Sequence, residues 1–238
     1  MNSSKFENFN FRELKKMALG MGLRSRRSKE LIIQDILVRL NDYNKLEYER
    51  CEQIGNKGKE GITYSVRSPG RTMYAMKTFR KSKSSNTLRK EAELQRLAST
   101  VGVAPNVIDV NEEEKFIVMD RMSKHLLDVM KTQDGELTKE QQKQIIKIFK
   151  KLDKVNIFHG DSNILNYMYK GSRLYIIDFG MSKEINDSLI KRLGTSTPNI
   201  DIGLLGFILK LKDMSCPPSS YVYLKSFISE NERERFKL

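Results

Sequence analysis

The chain has 238 residues, of which 43 are Lys or Arg against 30 Asp or Glu, giving a formal charge of +13, and 39% are hydrophobic. This composition supplies a packed core for one modest domain, or for a domain plus a small module, and argues against long disorder. Cys51 and Cys216 stand far apart with no His/Cys cluster, which argues against a disulfide framework or a structural zinc site and for a reducing compartment.

The N-terminus shows no secretory h-region. The longest apolar run, Ile200 to Leu211, is interrupted by Asp201 and Lys210 and is too short and charged to span a bilayer. An intracellular protein without a membrane partner is therefore expected, in cytoplasm or nucleus. The basic excess admits nucleic acid, acidic protein or phosphate-rich partners without choosing among them.

Phe11 to Tyr43 reads as two short helices. Phe11, Leu14, Met17 and Ala18 recur at helical spacing in the first, and Leu31, Ile32, Asp35 and Ile36 do so in the second. Gly20 and Gly22 end the first helix, and Ser28 is positioned to cap the second. The link between them, Arg24-Ser25-Arg26-Arg27, is basic and is followed by Lys29. From Glu52 to Phe79 apolar and polar residues alternate with Gly and Pro punctuation, as in a meander of antiparallel strands. Leu88 to Ala98 is a helix pattern and Phe116 to Met119 a short buried strand. Thr138-Lys-Glu-Gln resembles a capping box opening an amphipathic helix to Val155. Leu174 to Ile177 is a strand that ends at Asp178. Strands first and helices later predict an α+β protein with two lobes.

Two segments carry chemistry. In His159-Gly-Asp161-Ser-Asn163-Ile-Leu-Asn166 a carboxylate precedes a carboxamide by five residues, in a loop after a long helix. About a dozen residues on, Tyr175-Ile-Ile-Asp178-Phe-Gly180 delivers an acid at the end of a buried strand. Phosphoryl transfer uses such parts: one carboxylate orients the attacking hydroxyl, while a second carboxylate and an amide oxygen hold Mg²⁺ against the triphosphate. Either segment alone also reads as an ordinary loop or a strand end with a turn. Their order and separation favour the functional reading.

In these residues the chain resembles the protein-kinase superfamily. The resemblance implies an active ATP- and Mg²⁺-dependent kinase with Asp161 as catalytic base and Asn166 and Asp178 as metal ligands. Lys77, in Tyr74-Ala75-Met76-Lys77, would contact the α- and β-phosphates and pair with Glu91; Glu93 is the competing partner. Phe116 to Met122 looks like the strand and hinge that meet adenine, with Ala75, Asp120 and Met122 around the base. Gly55, Gly58 and Gly61 space a phosphate-covering loop as G-x-x-G-x-x-G, one residue longer than the family pattern, and a ligand-free hairpin turn is the bland alternative.

The resemblance covers about Glu52 to Lys212 and departs from the family at definite places. Gly160 replaces the arginine that receives an activation-loop phosphate, so activity without such a phosphate is expected. Asn163 stands where Ser/Thr protein kinases carry lysine, and Ala-Pro-Glu is missing. Asp201 looks like the C-lobe aspartate that braces the catalytic loop. His-Gly-Asp and a truncated C-lobe resemble RIO-like and tRNA-threonylcarbamoylation-complex kinases; aminoglycoside and choline kinases share His-Gly-Asp but carry substrate-binding helices. The implied acceptor is a protein Ser/Thr hydroxyl. A small-molecule kinase, an ATPase assisting nucleic-acid processing, and a pseudokinase binding module remain as alternatives.

Phe11 to Ile32 is similar to a SAP-type helix–extended–helix module, which implies nucleic-acid binding through Arg24, Arg26, Arg27 and Lys29. A docking hairpin is the alternative. The expected organisation is therefore a helical module over residues 1–48 and a minimal kinase-like domain over 49–238. That combination suits a kinase of a large DNA virus, which would act in the host cell or be carried in the virion.

Overall fold

The computed structural model describes residues 9–20, 23, 28–44, 48–55 and 60–238. The chain divides into two units, one of Met1–Glu49 with Arg67–Thr72 and one of Arg50–Val66 with Met73–Leu238.

In the first unit, helices α1 (Phe11–Gly20) and α2 (Lys29–Asn44) form a hairpin. The Asn10 side chain accepts from the amides of Arg12 and Glu13, and the Asn10 amide donates to the Glu13 carboxylate at 2.8 Å. This closes the orphan donors of the first turn. Leu14, Ala18, Ile32 and Ile36 are buried together. Leu31 and Phe11, expected on the apolar faces, are instead exposed. The i, i+4 pair Ile32–Ile36 already fills the narrow stripe that a two-helix hairpin can cover, which turns Leu31 outward.

The second unit is two-lobed. Strands β1 (Glu49–Gln53), β2 (Gly61–Arg67), β3 (Met73–Phe79), β4 (Val107–Asn111) and β5 (Phe116–Asp120) make a sheet in the order β1-β2-β3-β5-β4. The antiparallel β3–β5 register sets Ala75 opposite Met119 and Lys77 opposite Ile117. Helix α3 (Ser85–Thr100), capped by Ser84, buries Leu88 and Ala92 against Ala75, Phe79, Ile117 and Met119. Ala75, Lys77 and Phe79, two residues apart, share the sheet face that meets α3, so the pleat aims Lys77 at that helix.

Gly61 opens β2 where the chain runs against β3. A Cβ there would lie 2.0 Å from the Thr78 carbonyl oxygen, so only glycine fits. Gly61→Ala should cost about 3 kcal/mol, because backbone and not a movable side chain is in the way. For a chain of this size that corresponds to a Tm fall of roughly 6–12 °C. Thermal unfolding checks this, and an unchanged Tm would contradict it.

The helical lobe contains β6 (Lys124–His125), α4 (Leu126–Lys131), α5 (Lys139–Lys154), β7 (Ile157–Phe158), β8 (Tyr167–Lys170), β9 (Arg173–Ile176), β10 (Lys183–Glu184), α6 (Asp187–Leu193), α7 (Leu204–Asp213), α8 (Val222–Lys225) and α9 (Glu230–Arg235). Thr138 and Gln141 close a reciprocal capping box that starts α5. The buried face of α5, including Ile145, Phe149 and Leu152, packs with Tyr167, Phe179 and Phe207 in the lobe's core. Tyr167 meets both Phe149 and Phe207 edge-on. This core fixes the two loops that flank it, residues 159–166 and 177–181. Among the described residues no helix is long and apolar enough to cross a membrane.

Candidate active site

Lys77 is set by β3 and reaches two carboxylates. Its Nζ lies 2.7 Å from Glu91 Oε1 on α3 and 2.7 Å from Asp178 Oδ1. Glu91 is buried at 3% exposure and Glu93 lies outside, so α3 presents one of the two candidate glutamates to the lysine. Burial by itself would lower the Lys77 ammonium, but the charges of Glu91 and Asp178 and their hydrogen bonds hold it above its ordinary value. Burial would likewise raise the Asp178 carboxyl. The neighbouring Lys77, with the Gly180 amide and His159, outweighs burial and holds it below the usual carboxylate range. Asp178 adopts a left-handed backbone (φ 65°, ψ 79°), an uncommon conformation that turns its carboxylate back toward Lys77 and the Gly180 amide.

A second lysine, which sequence reasoning missed, extends this network. Lys83 Nζ lies 2.6 Å from Glu91 Oε2 and 2.8 Å from Glu60 Oε2, and it sits over the Phe79 ring at 4.3 Å. The carboxylates of Glu60, Glu91 and Asp178 lie within 4.8 Å of one another, and the two lysines thread between them. The result is an alternating chain, Glu60–Lys83–Glu91–Lys77–Asp178. Because buried Glu91 has two cations, removing either should cost only about 1–3 kcal/mol, whereas removing both leaves an uncompensated buried charge. Lys77→Met/Lys83→Met should therefore be destabilised by more than the sum of the single variants in urea unfolding. Strict additivity would contradict the shared-partner arrangement.

The loop after β7 holds the other expected residues. Asn166 Nδ2 donates to Asp161 Oδ2 at 2.8 Å, and the Asn163 amide donates to Asp161 Oδ1 at 3.1 Å. The Asn163 side chain caps the short turn Ile164–Asn166 by accepting from the Leu165 amide. The Ile177 amide donates to the Asn166 carbonyl at 2.8 Å, so Asn166 is tied to the residue preceding Asp178. With its Nδ2 committed to Asp161, Asn166 keeps its amide oxygen for another partner. That oxygen and the second oxygen of Asp178 are hard donors of the kind Mg²⁺ takes, so the residues present fit this ion.

His159 is buried and packs its ring on Phe179, with centroids 5.0 Å apart. Its Nδ1 and Nε2 meet the carbonyls of Asp161 (3.0 Å) and Ile177 (3.1 Å), joining the two loops. Burial pushes the imidazole down despite these bonds. Gly160 has φ 77°, and a Cβ there would lie 2.8 Å from the Met181 carbonyl oxygen. The backbone thus has no room for a larger side chain such as arginine here.

The expected brace from Asp201 is corrected by the structure. Asp201 is exposed and accepts from the hydroxyls of Thr195 and Thr197. The brace is Asn199, 1% exposed, whose Oδ1 accepts from the His159 amide at 3.0 Å. Asn199 Nδ2 donates to Asp153 Oδ1 at 2.7 Å and to the Ile157 carbonyl at 2.6 Å. A π-type turn, Asn199–Gly203, turns Asn199 inward and leaves Asp201 outside.

The remaining expected residues fall as follows. Ala75 (7% exposed) and Met122 (8%) are buried on β3 and just beyond β5. The Asp120 side chain accepts from Asn106 Nδ2 at 2.9 Å, fixing the end of β5. Gly55 has φ 79°, and its carbonyl accepts from Gln53 Nε2. Gly58, like Arg24, Arg26 and Arg27 of the basic link, lies outside the described residues. Lys29 begins α2.

Comparison with known proteins agrees with this geometry. Over 125 residues the chain is 30% identical to a protein of Archaeoglobus fulgidus named as a probable serine/threonine-protein kinase, a BUD32 homolog. The alignment covers 52% of this chain and 58% of that relative, so the chain spans under two thirds of the relative's length. The family described as protein kinase domain matches residues 48–198, well over half of the chain. On that match, and with the Lys77–Glu91–Asp178 and Asp161–Asn166 contacts in one lobe pair, the chain belongs to the protein kinase domain family.

Proposed function

We propose that the chain is an active ATP-dependent phosphotransferase, and that its acceptor is a serine or threonine hydroxyl of a protein. The observation that carries this reading is the convergence of Glu91, Lys77 and Asp178 at ion-pair distance with Asp161 and Asn166 hydrogen-bonded in the adjoining loop. In this reading Lys77, held by Glu91, binds the α- and β-phosphates of ATP. Asp161, oriented by Asn166 and the Asn163 amide, accepts the proton of the attacking hydroxyl. Asn166 and Asp178 are the residues that would hold Mg²⁺, which when bound neutralises charge on the phosphates. Ala75, Met122 and the backbone beside Asp120 receive the base, and the loop bearing Gly55, Gly58 and Gly61 covers the phosphates.

A helical module over residues 1–48 and a kinase-like domain over 49–238 belong to the same proposal, supported by a family match that begins at residue 48. Incubation of the full chain with γ-labelled ATP, acidic and basic proteins and an aminoglycoside tests the acceptor. Label on phosphoserine or phosphothreonine is the expected result. Label on the aminoglycoside alone would assign a small-molecule kinase, and ADP release without any labelled acceptor would assign an ATPase.

A further inference from the structure

On the helical lobe, away from the residues assigned to phosphoryl transfer, a cleft of about 440 Å³ opens between α5, the Gly102 turn after α3 and the β8–β9 turn. Its charged walls are Lys143, Lys147, Lys151 and Arg173, with Glu140 as the acidic member. Lys151 and Arg173 are held in place by backbone: Lys151 Nζ donates to the Val101 carbonyl and Arg173 Nη2 to the Gly102 carbonyl, each at 2.6 Å. Glu140 pairs with Lys143 at 3.4 Å. Among the described residues no carboxylate lies within ion-pair distance of Lys147, Lys151, Lys154 or Arg173. Burial and then the charges of Arg173, Lys147 and Lys154 push the Lys151 ammonium down, a repulsion that an anion would relieve.

We propose that this cleft is a second binding site, which takes the phosphate backbone of a nucleic-acid strand through Lys143, Lys147, Lys151 and Arg173. The shape of the charge selects this ligand. Lys139, Lys143, Lys147 and Lys151 recur every four residues, so they form one row on α5 with a rise of about 6 Å per step. A row of spaced cations suits a polymer of spaced charges better than one compact anion. The apolar residues of the cleft, Val103, Ile148 and Leu174, are themselves buried and offer no anchor of the kind that centres a protein interface. The site uses neither ATP nor the N-terminal helices, so it stands independently of the proposed phosphotransfer.

The test is fluorescence anisotropy of the full chain with a labelled 20-nucleotide single-stranded DNA, the corresponding RNA and the DNA duplex, between 50 and 200 mM salt. Lys147→Gln/Lys151→Gln should weaken binding at least tenfold at low salt. It should also flatten the dependence of log K on log salt by about 1.4–1.8, at roughly 0.7–0.9 per lost phosphate contact. Lys225→Gln/Arg233→Gln, which removes the same charge from α8 and α9, should change affinity by less than about threefold. Lys147→Gln alone changes one exposed side chain, so its expected severalfold loss is readable even if the double variant unfolds. The ratio of DNA to RNA affinity identifies the natural strand. Equal losses in the α5 and control variants, no binding of any strand at 50 mM salt, or binding of polyglutamate with the same dependence on Lys147 and Lys151 would each overturn the proposal.

Discussion

Asp178→Ala is expected to abolish phosphoryl transfer and to weaken Mg²⁺-dependent nucleotide binding together, whereas Asp161→Ala should lose only transfer. The two carboxylates sit in different electrostatic settings. Asp178 is paired with Lys77 at 2.7 Å, so its removal disturbs the lysine proposed to bind phosphate and takes away one of the two oxygen donors proposed for Mg²⁺. Asp161 makes its contacts within its own loop, to Asn166 and the Asn163 amide. Its loss removes proton acceptance and hydroxyl orientation, worth about 10²–10⁴ in rate, while leaving the Lys77 network intact. Calorimetric titration of ATP with and without Mg²⁺, beside single-turnover transfer, separates the two. Equal Mg²⁺-ATP affinity in wild type and Asp178→Ala would refute the assignment.

Asn199→Ala should be the most damaging substitution outside the catalytic groups. The Asn199 side chain makes three buried bonds, to the His159 amide, Asp153 and the Ile157 carbonyl. Alanine leaves all three partners without that group, and Asp153 is already a carboxyl whose burial pushes its pKa up. A loss of about 2–4 kcal/mol follows, or roughly 5–15 °C in Tm. Because the His159 amide opens the loop that carries Asp161, transfer should also slow in protein that remains folded. A Tm within one degree of wild type would show that the brace lies elsewhere.

What the sequence made legible follows from how tightly chemistry constrains each position. Asp161, Asn166 and Asp178 stand at the separations that the proposed phosphotransfer would need to meet a hydroxyl and a metal ion from one loop and one strand end, and that spacing is visible in the residues themselves. Glu91 was distinguishable from Glu93 only through the residues around it, and burial of Glu91 gives the physical reason. Lys83 was hidden because Arg80-Lys81-Ser82-Lys83 reads as a solvated basic run, although Lys83 is buried against Phe79. Asn199 and Asp201 are polar neighbours in one turn, and periodicity does not tell which faces inward when the turn is of π type. β4 escaped notice because it is short and its register shifts between Val107 and Asp109, which breaks the alternation that marks a strand. The row of lysines on α5 was visible as an amphipathic pattern, but its meeting with Arg173 is a product of tertiary packing.

In the proposed function the chain transfers the γ-phosphoryl group without prior phosphorylation. Gly160 leaves no guanidinium beside Asp161 to pair with a phosphate on a neighbouring loop. The direct measurement is a time course of γ-labelled ATP turnover by the phosphatase-treated chain with a protein acceptor. Label should appear on serine or threonine from the first seconds at full rate, and Asp161→Ala should remove it. Absence of both labelled acceptor and ADP under conditions where the chain is folded would contradict the account, and a lag abolished by prior autophosphorylation at Thr195, Ser196 or Thr197 would contradict its independence from phosphorylation.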